Sequence, residues 1–204
     1  MQKITFFIYS LRTGGAERVI TQISNQLITK GFDIEILTID DVNNFLGELN
    51  TNVQVVSLNK NRIIKTIFPV YRYLKKSNSD FFVTNIWPLT LISSLLSIVF
   101  RNKKFVLIEH CNIFDEFKYK GSFFILLMKA SILFLYGLNH KVVAVSDGVK
   151  NSLIRCNPFI NKRTTVIYNP VRSNAINRLH KDEKEFVEFK NYPHKKLIAV
   201  GSLN

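Results

Sequence analysis

The chain has 204 residues and 47% of them are hydrophobic, which is enough for one ordinary domain with a sizeable core and a short additional piece. Lysine and arginine number 28 against 15 acidic residues, and this formal charge of +13 predicts attraction to phosphates, nucleic acid or anionic lipid headgroups without choosing among them. With only Cys111 and Cys156, the composition excludes a disulfide-stapled secreted domain and a cysteine-rich metal site, so we expect reduced thiols in a cytoplasmic protein.

Short runs of apolar and β-branched residues recur along the chain and predict seven strands. Most of these runs are continuous rather than alternating, as in parallel sheets that are covered on both faces. Segments with helical spacing separate them, which predicts a doubly wound α/β domain whose ligands bind beyond the carboxyl ends of the strands. The predicted strands are residues 4–9, 34–39, 53–58, 81–86, 105–108, 142–145 and 165–168.

Two crossovers between these strands show the helical period. Residues 16–27 place their apolar side chains on one face. In residues 63–74 a second apolar stripe, which includes Ile64, Ile67 and Phe68, predicts a core-facing helix that Pro69 kinks or shortens. Six lysines and arginines lie between Lys60 and Lys76, so this helix either has an ordinary solvated basic face or holds the domain on an anionic membrane.

Two later stretches are more apolar still. Residues 122–138 contain Lys129 as their only charge and reach the short limit of a membrane span, while residues 89–100 are shorter and contain three serines. Buried helices of an α/β layer give the same signal, and that is the interpretation we favour.

The composition changes after Tyr168. Asn169-Pro170 predicts a turn, and the charged run at 181–185 lacks an apolar face long enough for a core helix. Residues 197–200 then read as a fresh buried strand with a glycine turn after it. We therefore expect a first domain at 1–171, a linker at 172–194 and, at 195–204, the first strand of a second domain that the chain does not complete.

The turn after the first strand carries two adjacent glycines, Gly14 and Gly15. Glycine permits close backbone approach, and the free amides of a first helical turn favour a phosphate. The spacing lacks the fingerprints of dinucleotide folds and P-loops. A plain strand-to-helix turn explains the same pair of glycines.

Six short stretches in chain order carry a more specific signal than any one of them alone. They are residues 7–11 (FIYSL), 14–19 (GGAERV), 106–110 (VLIEH), 143–146 (VAVS), 166–171 (VIYNPV) and 198–203 (IAVGSL). Together they resemble the retaining glycosyltransferases of family 4, which have the two-domain GT-B fold, and the resemblance covers essentially the whole chain. It implies that this chain is the Rossmann-like, acceptor-binding amino-terminal half of such an enzyme.

The resemblance also implies where chemistry takes place. The backbone at Gly14 and Gly15 would approach the donor diphosphate when the cleft between the two halves closes, and His110 would be the catalytic-site residue beside the transferring sugar. The donor would be a nucleotide diphosphate sugar used as a substrate, with no cofactor and no metal. Asp40-Asp41 does not change that expectation, because adjacent carboxylates point apart and no third ligand is evident.

Four further residues are weaker candidates for acceptor binding. Glu17 could contact a sugar hydroxyl or simply complement the helix dipole. Trp87 could stack on a sugar ring beside Asn85, although packing is the commoner use of tryptophan. Ser146 is explained equally well as an amino-terminal helix cap.

The leading hypothesis is transfer of a hexose or N-acetylhexosamine to a lipid-linked bacterial surface glycan, such as lipopolysaccharide or capsule, at the inner face of the cytoplasmic membrane. The family's paired donor-site glutamates would lie beyond Asn204, and Pro170 stands where many relatives have glycine. The alternative is a non-catalytic α/β module that binds glycans or nucleic acid. No single-strand or helix-turn-helix signature supports nucleic acid as a partner, so we expect none.

Overall fold

Seven parallel strands form one sheet in a computed structural model that describes residues 1–42, 44–116 and 121–170. Every neighbouring pair of strands runs parallel, and the spatial order is β3-β2-β1-β4-β5-β6-β7. The strands are β1 (Lys3–Ile8), β2 (Asp33–Thr38), β3 (Gln54–Ser57), β4 (Phe81–Asn85), β5 (Lys104–Glu109), β6 (Lys141–Ala144) and β7 (Thr164–Val166).

The chain winds outward in both directions from the centre of this sheet. It leaves β1 toward β2 and β3, then crosses back to β4 on the other side of β1 and continues to β7. The switch point between β1 and β4 is where a doubly wound sheet opens a crevice for ligands at its carboxyl edge. The predicted doubly wound parallel fold is therefore confirmed.

Six α-helices in the described residues connect the strands. They are α1 (Gly15–Thr29), α2 (Ile67–Lys76), α3 (Leu89–Val99), α4 (Ile113–Glu116), α5 (Ser122–Phe134) and α6 (Asp147–Cys156). On β5, Phe105 packs in the core with α2 and α3, while Leu107 packs in the core with α5 and α6. Because alternate residues of a strand share a face, α2, α3, α5 and α6 cover one face of the sheet. The core that contains Ile20 of α1 lies on the other face, with Val106 and Ile108.

The seven predicted strands all occur, with ends that differ by one or two residues. β1, β2 and β4 are buried along nearly their whole length, as continuous apolar runs predict. β3 is an exception, because it is an edge strand and its side chains are largely exposed.

The predicted second helix begins later than its sequence pattern suggests. Residues Ile63–Thr66 form a 3-10 turn, and α2 starts at Ile67, so Pro69 falls in the first helical turn, where a missing backbone donor is tolerated. The expected core-facing stripe is wrong in part. Val70 and Leu74 are buried, whereas Ile64, Ile67 and Phe68 are exposed.

The expectation that the two most apolar stretches are buried helices is also wrong in part. They form α3 and α5, each packed on the sheet by one side only. Their outer sides expose large apolar residues. Among the residues that the structure describes, no helix combines the length and the hydropathy needed to cross a bilayer.

The chain divides into two units, Met1–Pro170 and Val171–Asn204. The predicted linker at 172–194 and the predicted strand at 195–204 lie outside the described residues. Both remain predictions.

Candidate functional site

A cavity of about 180 Å3 opens at the carboxyl edge of the sheet, at the switch point between β1 and β4. Most of its wall is apolar, and the polar side chains that reach it are those of Tyr9, Glu17 and Asn85, with Trp87 at its edge. It is lined by Ile8, Tyr9, Ala16, Glu17, Ile63, Asn85, Ile86, Trp87, Pro88 and Leu89. The starts of α1 and α3 thus face each other across the place where this fold class binds ligands.

Asn85 and His110 lie together at this edge, since Asn85 is the last residue of β4 and His110 directly follows β5. His110 Nε2 and Asn85 Oδ1 are 3.3 Å apart, so the amide oxygen accepts a hydrogen bond when Nε2 carries the proton. Burial lowers the pKa of His110 below its ordinary value, which favours the neutral ring at physiological pH. That arrangement leaves Nδ1 able to accept a proton or a hydrogen bond.

The NH2 group of Asn85 has no hydrogen-bond partner among the described residues. Asn85 is only 3% exposed, and its Nδ2 donates to no atom of the described residues. A buried amide donor without a partner costs about 1–3 kcal/mol, so a ligand oxygen that accepted from Nδ2 would remove this cost.

The start of α1 presents open backbone amides to the same edge. Gly14 is the residue before the helix and provides no side-chain cap. A Cβ at Gly15 would meet nothing within 4 Å, whereas one at Gly14 would overlap the carboxylate of Glu17. Glu17 therefore lies over the helix start, and an anion that reaches these amides must displace that carboxylate.

Two of the weaker candidates have structural roles. Trp87 is 3% exposed, its Nε1 donates to Ser131 Oγ at 3.1 Å, and its ring packs edge-on against Phe124. The indole is packed in the core, which is the commoner use of tryptophan, and its contact with a sugar remains a prediction. Ser146 Oγ accepts from the backbone N–H of Val149 at 3.2 Å, so the capping interpretation of this residue is confirmed.

A buried glutamate, Glu109, adjoins the site and was not among the residues predicted from the sequence. Glu109, directly before His110, accepts hydrogen bonds on Oε1 from Tyr136 Oη at 2.5 Å and from Thr90 Oγ1 at 2.9 Å. Burial raises the pKa of Glu109 to about 7, and these hydrogen bonds, with one from the backbone of Trp87, oppose that rise. The available signal was the position of Glu109 within an otherwise apolar buried strand.

Ile86 is held in the left-handed region of backbone conformation, with φ of 62°. A β-branched residue there costs on the order of 1–2 kcal/mol. Ile86 lines the cavity, and its backbone N–H donates to Ile108 O at 3.0 Å, which ties the segment to β5. Strain held at a cavity wall is typical of functional sites.

A second, more polar cavity of about 590 Å3 adjoins the first through Tyr9. Its wall contains Arg12, Lys60 and Lys65, and Arg12 forms an ion pair with Asp40 at 2.9 Å. This pair occupies one of the two adjacent aspartates considered above. Among the described residues, no group of three or more histidines, cysteines, aspartates or glutamates is placed to hold a metal ion. Metal-independent chemistry remains a prediction.

The family model described as Glycosyltransferase Family 4 matches residues 13–174. This range contains Gly14, Gly15, Asn85 and His110. No curated protein sequence matches the chain significantly.

Solved structures of low sequence identity share the fold. HepE from Anabaena, solved in complex with UDP, matches with a TM-score of 0.63 and 14% identity over 89% of this chain and 49% of that chain. Sucrose-phosphate synthase from Thermosynechococcus elongatus matches with a TM-score of 0.59 and 14% identity over 88% and 53%. The UDP-GlcNAc 2-epimerase of Methanocaldococcus jannaschii matches with a TM-score of 0.58 and 14% identity over 82% and 46%.

The chain thus spans about half the length of the structures that it matches. These likenesses confirm the predicted Rossmann-like half of a GT-B fold. Since one of the three is an epimerase, the fold by itself does not select a reaction.

Proposed function

The chain belongs to glycosyltransferase family 4, and from that premise we propose that it binds the acceptor in the transfer of a sugar from a nucleotide diphosphate sugar. The sugar is a hexose or N-acetylhexosamine, transferred with retained anomeric configuration. The acceptor is a lipid-linked surface glycan of the lipopolysaccharide or capsule type. The nucleotide is bound by a second half of the fold.

One observation supports acceptor binding most directly, namely the unpartnered amide donor of Asn85 at the wall of the cavity. An acceptor hydroxyl can accept a hydrogen bond from Nδ2 while Oδ1 keeps the ring of His110 in one orientation. The wall of the cavity is largely apolar, and a polar contact is stronger in apolar surroundings than in water. Glu17, at the mouth, is placed to accept from a second hydroxyl.

The start of α1 supports the donor part of the proposal. The uncapped amides after Gly14 and the open space at Gly15 suit a diphosphate that approaches from the facing half. HepE, one of the structures of similar fold, was solved in complex with UDP. The nucleotide sugar is a substrate in this proposal, and the reaction uses no separate cofactor.

The lipid-linked acceptor places the enzyme in the cytoplasm, on the inner face of the cytoplasmic membrane. A lipid-linked glycan remains in the bilayer, so the cavity must open near the headgroups. The cations at Lys60 and Lys65 beside the cavity would face the phosphates of that lipid or of its neighbours. Nucleic acid is not a partner in this proposal.

The test is a transfer assay on the product of the whole gene, with a panel of nucleotide sugars and membrane lipid from its source. We expect transfer, and we expect His110→Ala to lower the turnover rate by about a hundredfold or more, the usual scale for a positioned proton-transfer group. His140→Ala is the matched control, because His140 is exposed and lies at the opposite end of the strands, before β6. It should keep normal turnover.

Two results would contradict the proposal. Normal turnover in a folded His110→Ala protein would show that this histidine is structural and takes no part in transfer. Transfer by the 204-residue chain alone would disprove the assignment of the donor site to a second half. A gene product that binds glycans but transfers no sugar would instead support the non-catalytic alternative.

A further inference from the structure

Helix α3 packs Leu89, Ile92 and Leu96 into the core, but its other buried positions are hydroxyl residues and its exposed positions are all apolar. Its buried positions include Thr90, Ser93, Ser94 and Ser97, while Leu95, Ile98 and Val99 are exposed, Val99 to 61%. The buried hydroxyls are all hydrogen-bonded: Ser93 to Thr84, Ser94 to the backbone of Thr90, and Ser97 to the backbone of Ser94. A helix whose outer side faces water carries polar residues on that side.

Helix α5 shows the same outer surface beside it. Its exposed positions include Phe123 at 79%, Leu126 at 65% and Phe134 at 68%, and its buried side includes Ser131, which bonds Trp87. Because α3 and α5 contact each other and cover the same face of the sheet, their exposed residues form one apolar surface. Soluble monomers rarely leave so many large apolar side chains uncovered in one place.

We define the outer apolar face as Leu95, Ile98 and Val99 of α3 with Phe123, Leu126, Leu127, Leu133 and Phe134 of α5. Helix α2 lies next to α3 in the same layer, where Tyr71 packs against Phe100 at 5.3 Å between ring centroids. It adds the exposed ring of Phe68, and the guanidinium carbon of Arg72 lies 4.4 Å from the centroid of that ring.

The helices that form this face carry cations and no acids. None of α2, α3 and α5 contains an aspartate or glutamate. Their exposed cations are Arg72, Lys75 and Lys76 of α2 and Lys129 of α5, whereas exposed acids lie on the neighbouring helices, Asp115 on α4 and Asp147 on α6. An apolar surface with a cationic rim is the complement of an anionic bilayer, whose acyl boundary takes the apolar groups and whose phosphates take the cations.

We propose that the outer apolar face is the surface by which this domain docks on an anionic lipid bilayer. A second copy of the chain suits the face less well. A two-fold interface would bring two cationic rims together without an acid on these helices to neutralise them. The proposal goes beyond the proposed transfer reaction, since docking depends on the described helices and not on the donor.

Helix α6 provides the internal comparison. It lies in the same layer as α5, but its exposed positions are polar, and they include Asp147, Asn151 and Arg155. The apolar surface therefore stops at α6 and is not a general feature of the layer. This boundary supplies a matched control site.

The test is co-flotation of the 204-residue chain with vesicles of phosphatidylcholine alone or mixed with phosphatidylglycerol. We expect binding to the anionic vesicles, weaker binding at high salt, and little binding to the neutral ones. Leu126→Glu and Leu95→Glu should each lower the partition coefficient by about tenfold or more, since an exposed leucine is replaced by a charge that repels the lipid. Asn151→Glu, which adds the same charge on α6, should change it little.

Several outcomes would overturn the proposal. These are failure of the wild-type chain to bind anionic vesicles, equal losses in Leu126→Glu and Asn151→Glu, and a wild-type dimer that Leu126→Glu converts to a monomer without any effect on flotation. Circular dichroism confirms that each variant is folded. Vesicle binding without sugar transfer by the whole gene product would leave this inference intact and contradict the proposed function.

Discussion

Helices α1 and α3 begin at the same cavity and cover opposite faces of one sheet, yet they are built in opposite ways. The exposed positions of α1 include Arg18 and Gln26, and its core includes Ile20. The exposed positions of α3 are apolar, and its buried positions are rich in serine and threonine. The difference shows that one helix meets water on its outer side and that the other is made for a less polar neighbour.

The inner side of α3 also connects this surface to the site. Thr90 bonds Glu109, which precedes His110, and Ser94 Oγ accepts from Asn139 Nδ2 at 2.9 Å. The inner side of α1 makes fewer polar contacts, and Ser24 Oγ is buried without a partner among the described residues. We therefore expect the buried hydrogen bonds of α3 to contribute more to the free energy of unfolding than those of α1.

The largest effect should appear in the pH dependence of stability through Glu109. Burial raises the pKa of its carboxyl to about 7 from an ordinary 4.5, so the folded chain holds a proton that the unfolded chain releases in this range. The contribution to stability is full below about pH 4.5, falls as the pH rises to about 7, and is then constant, with a total near 3 kcal/mol. Urea unfolding at about pH 4 and about pH 8 measures this loss.

Glu109→Gln is the control for that measurement, because the amide does not titrate and its oxygen can still accept from Tyr136 and Thr90. The variant should lack the loss near 3 kcal/mol that the wild type shows between the two pH values. Equal pH slopes in the two proteins would mean that the pKa of Glu109 is the same in the folded and the unfolded chain.

Two neighbouring residues of α3, one buried and polar and the other exposed and apolar, test this difference directly. Ser94→Leu forces a larger apolar group into the polar core and removes the hydroxyl that bonds Asn139, so we expect a loss of about 2–3 kcal/mol. Leu95→Ser changes an exposed side chain and should alter the unfolding free energy by less than about 0.5 kcal/mol. In an ordinary amphipathic helix the apolar residue would be the sensitive one, and that result would break the comparison with α1.

The sequence predicted the strands and α1 well because their burial depends on partners within the chain. Continuous apolar runs such as 34–39 become buried strands in a parallel sheet that is covered on both faces. The outer surfaces of α3 and α5 could not be predicted in this way, since apolar content shows that a residue avoids water but not what covers it. The stripe that includes Ile64 and Phe68 failed for the same reason.

The site was predicted in position more than in detail. Gly15 and His110 follow strands and Asn85 ends one, so the topology brings them to one edge. The contact between Asn85 and His110 depends on how β4 and β5 pair, and the burial of the Trp87 ring depends on α5. Both are tertiary facts that local spacing does not contain. Whether these residues act on a sugar is still a prediction.

A smaller effect is expected at Asn85, the last residue of β4. Asn85→Leu removes the buried Nδ2 donor, which has no partner among the described residues, but also the oxygen that accepts from His110, so the unfolding free energy should change by less than about 1 kcal/mol, while the acceptor KM of the whole enzyme should rise. Urea unfolding and acceptor kinetics measure the two changes. A loss of stability of more than about 2 kcal/mol would show that Asn85 is a structural residue.

The smallest effect on stability should come from Gly15, at the start of α1. A side chain there enters open space, and the first helical position accepts a β-branched residue, so Gly15→Val should change the unfolding free energy by less than about 0.5 kcal/mol. The same side chain would occupy the space through which a diphosphate reaches the helix amides, so donor binding by the whole enzyme should weaken by about tenfold or more.

Gly47→Val is the matched control, because a Cβ at Gly47 also meets nothing within 4 Å and this residue lies in the 3-10 turn after β2. Thermal unfolding of the chain and donor kinetics of the whole enzyme separate the two effects. Normal donor kinetics in Gly15→Val would exclude phosphate approach at this residue, and a loss of stability as large as that of Ser94→Leu would show that the start of α1 is as tightly packed as the inner side of α3.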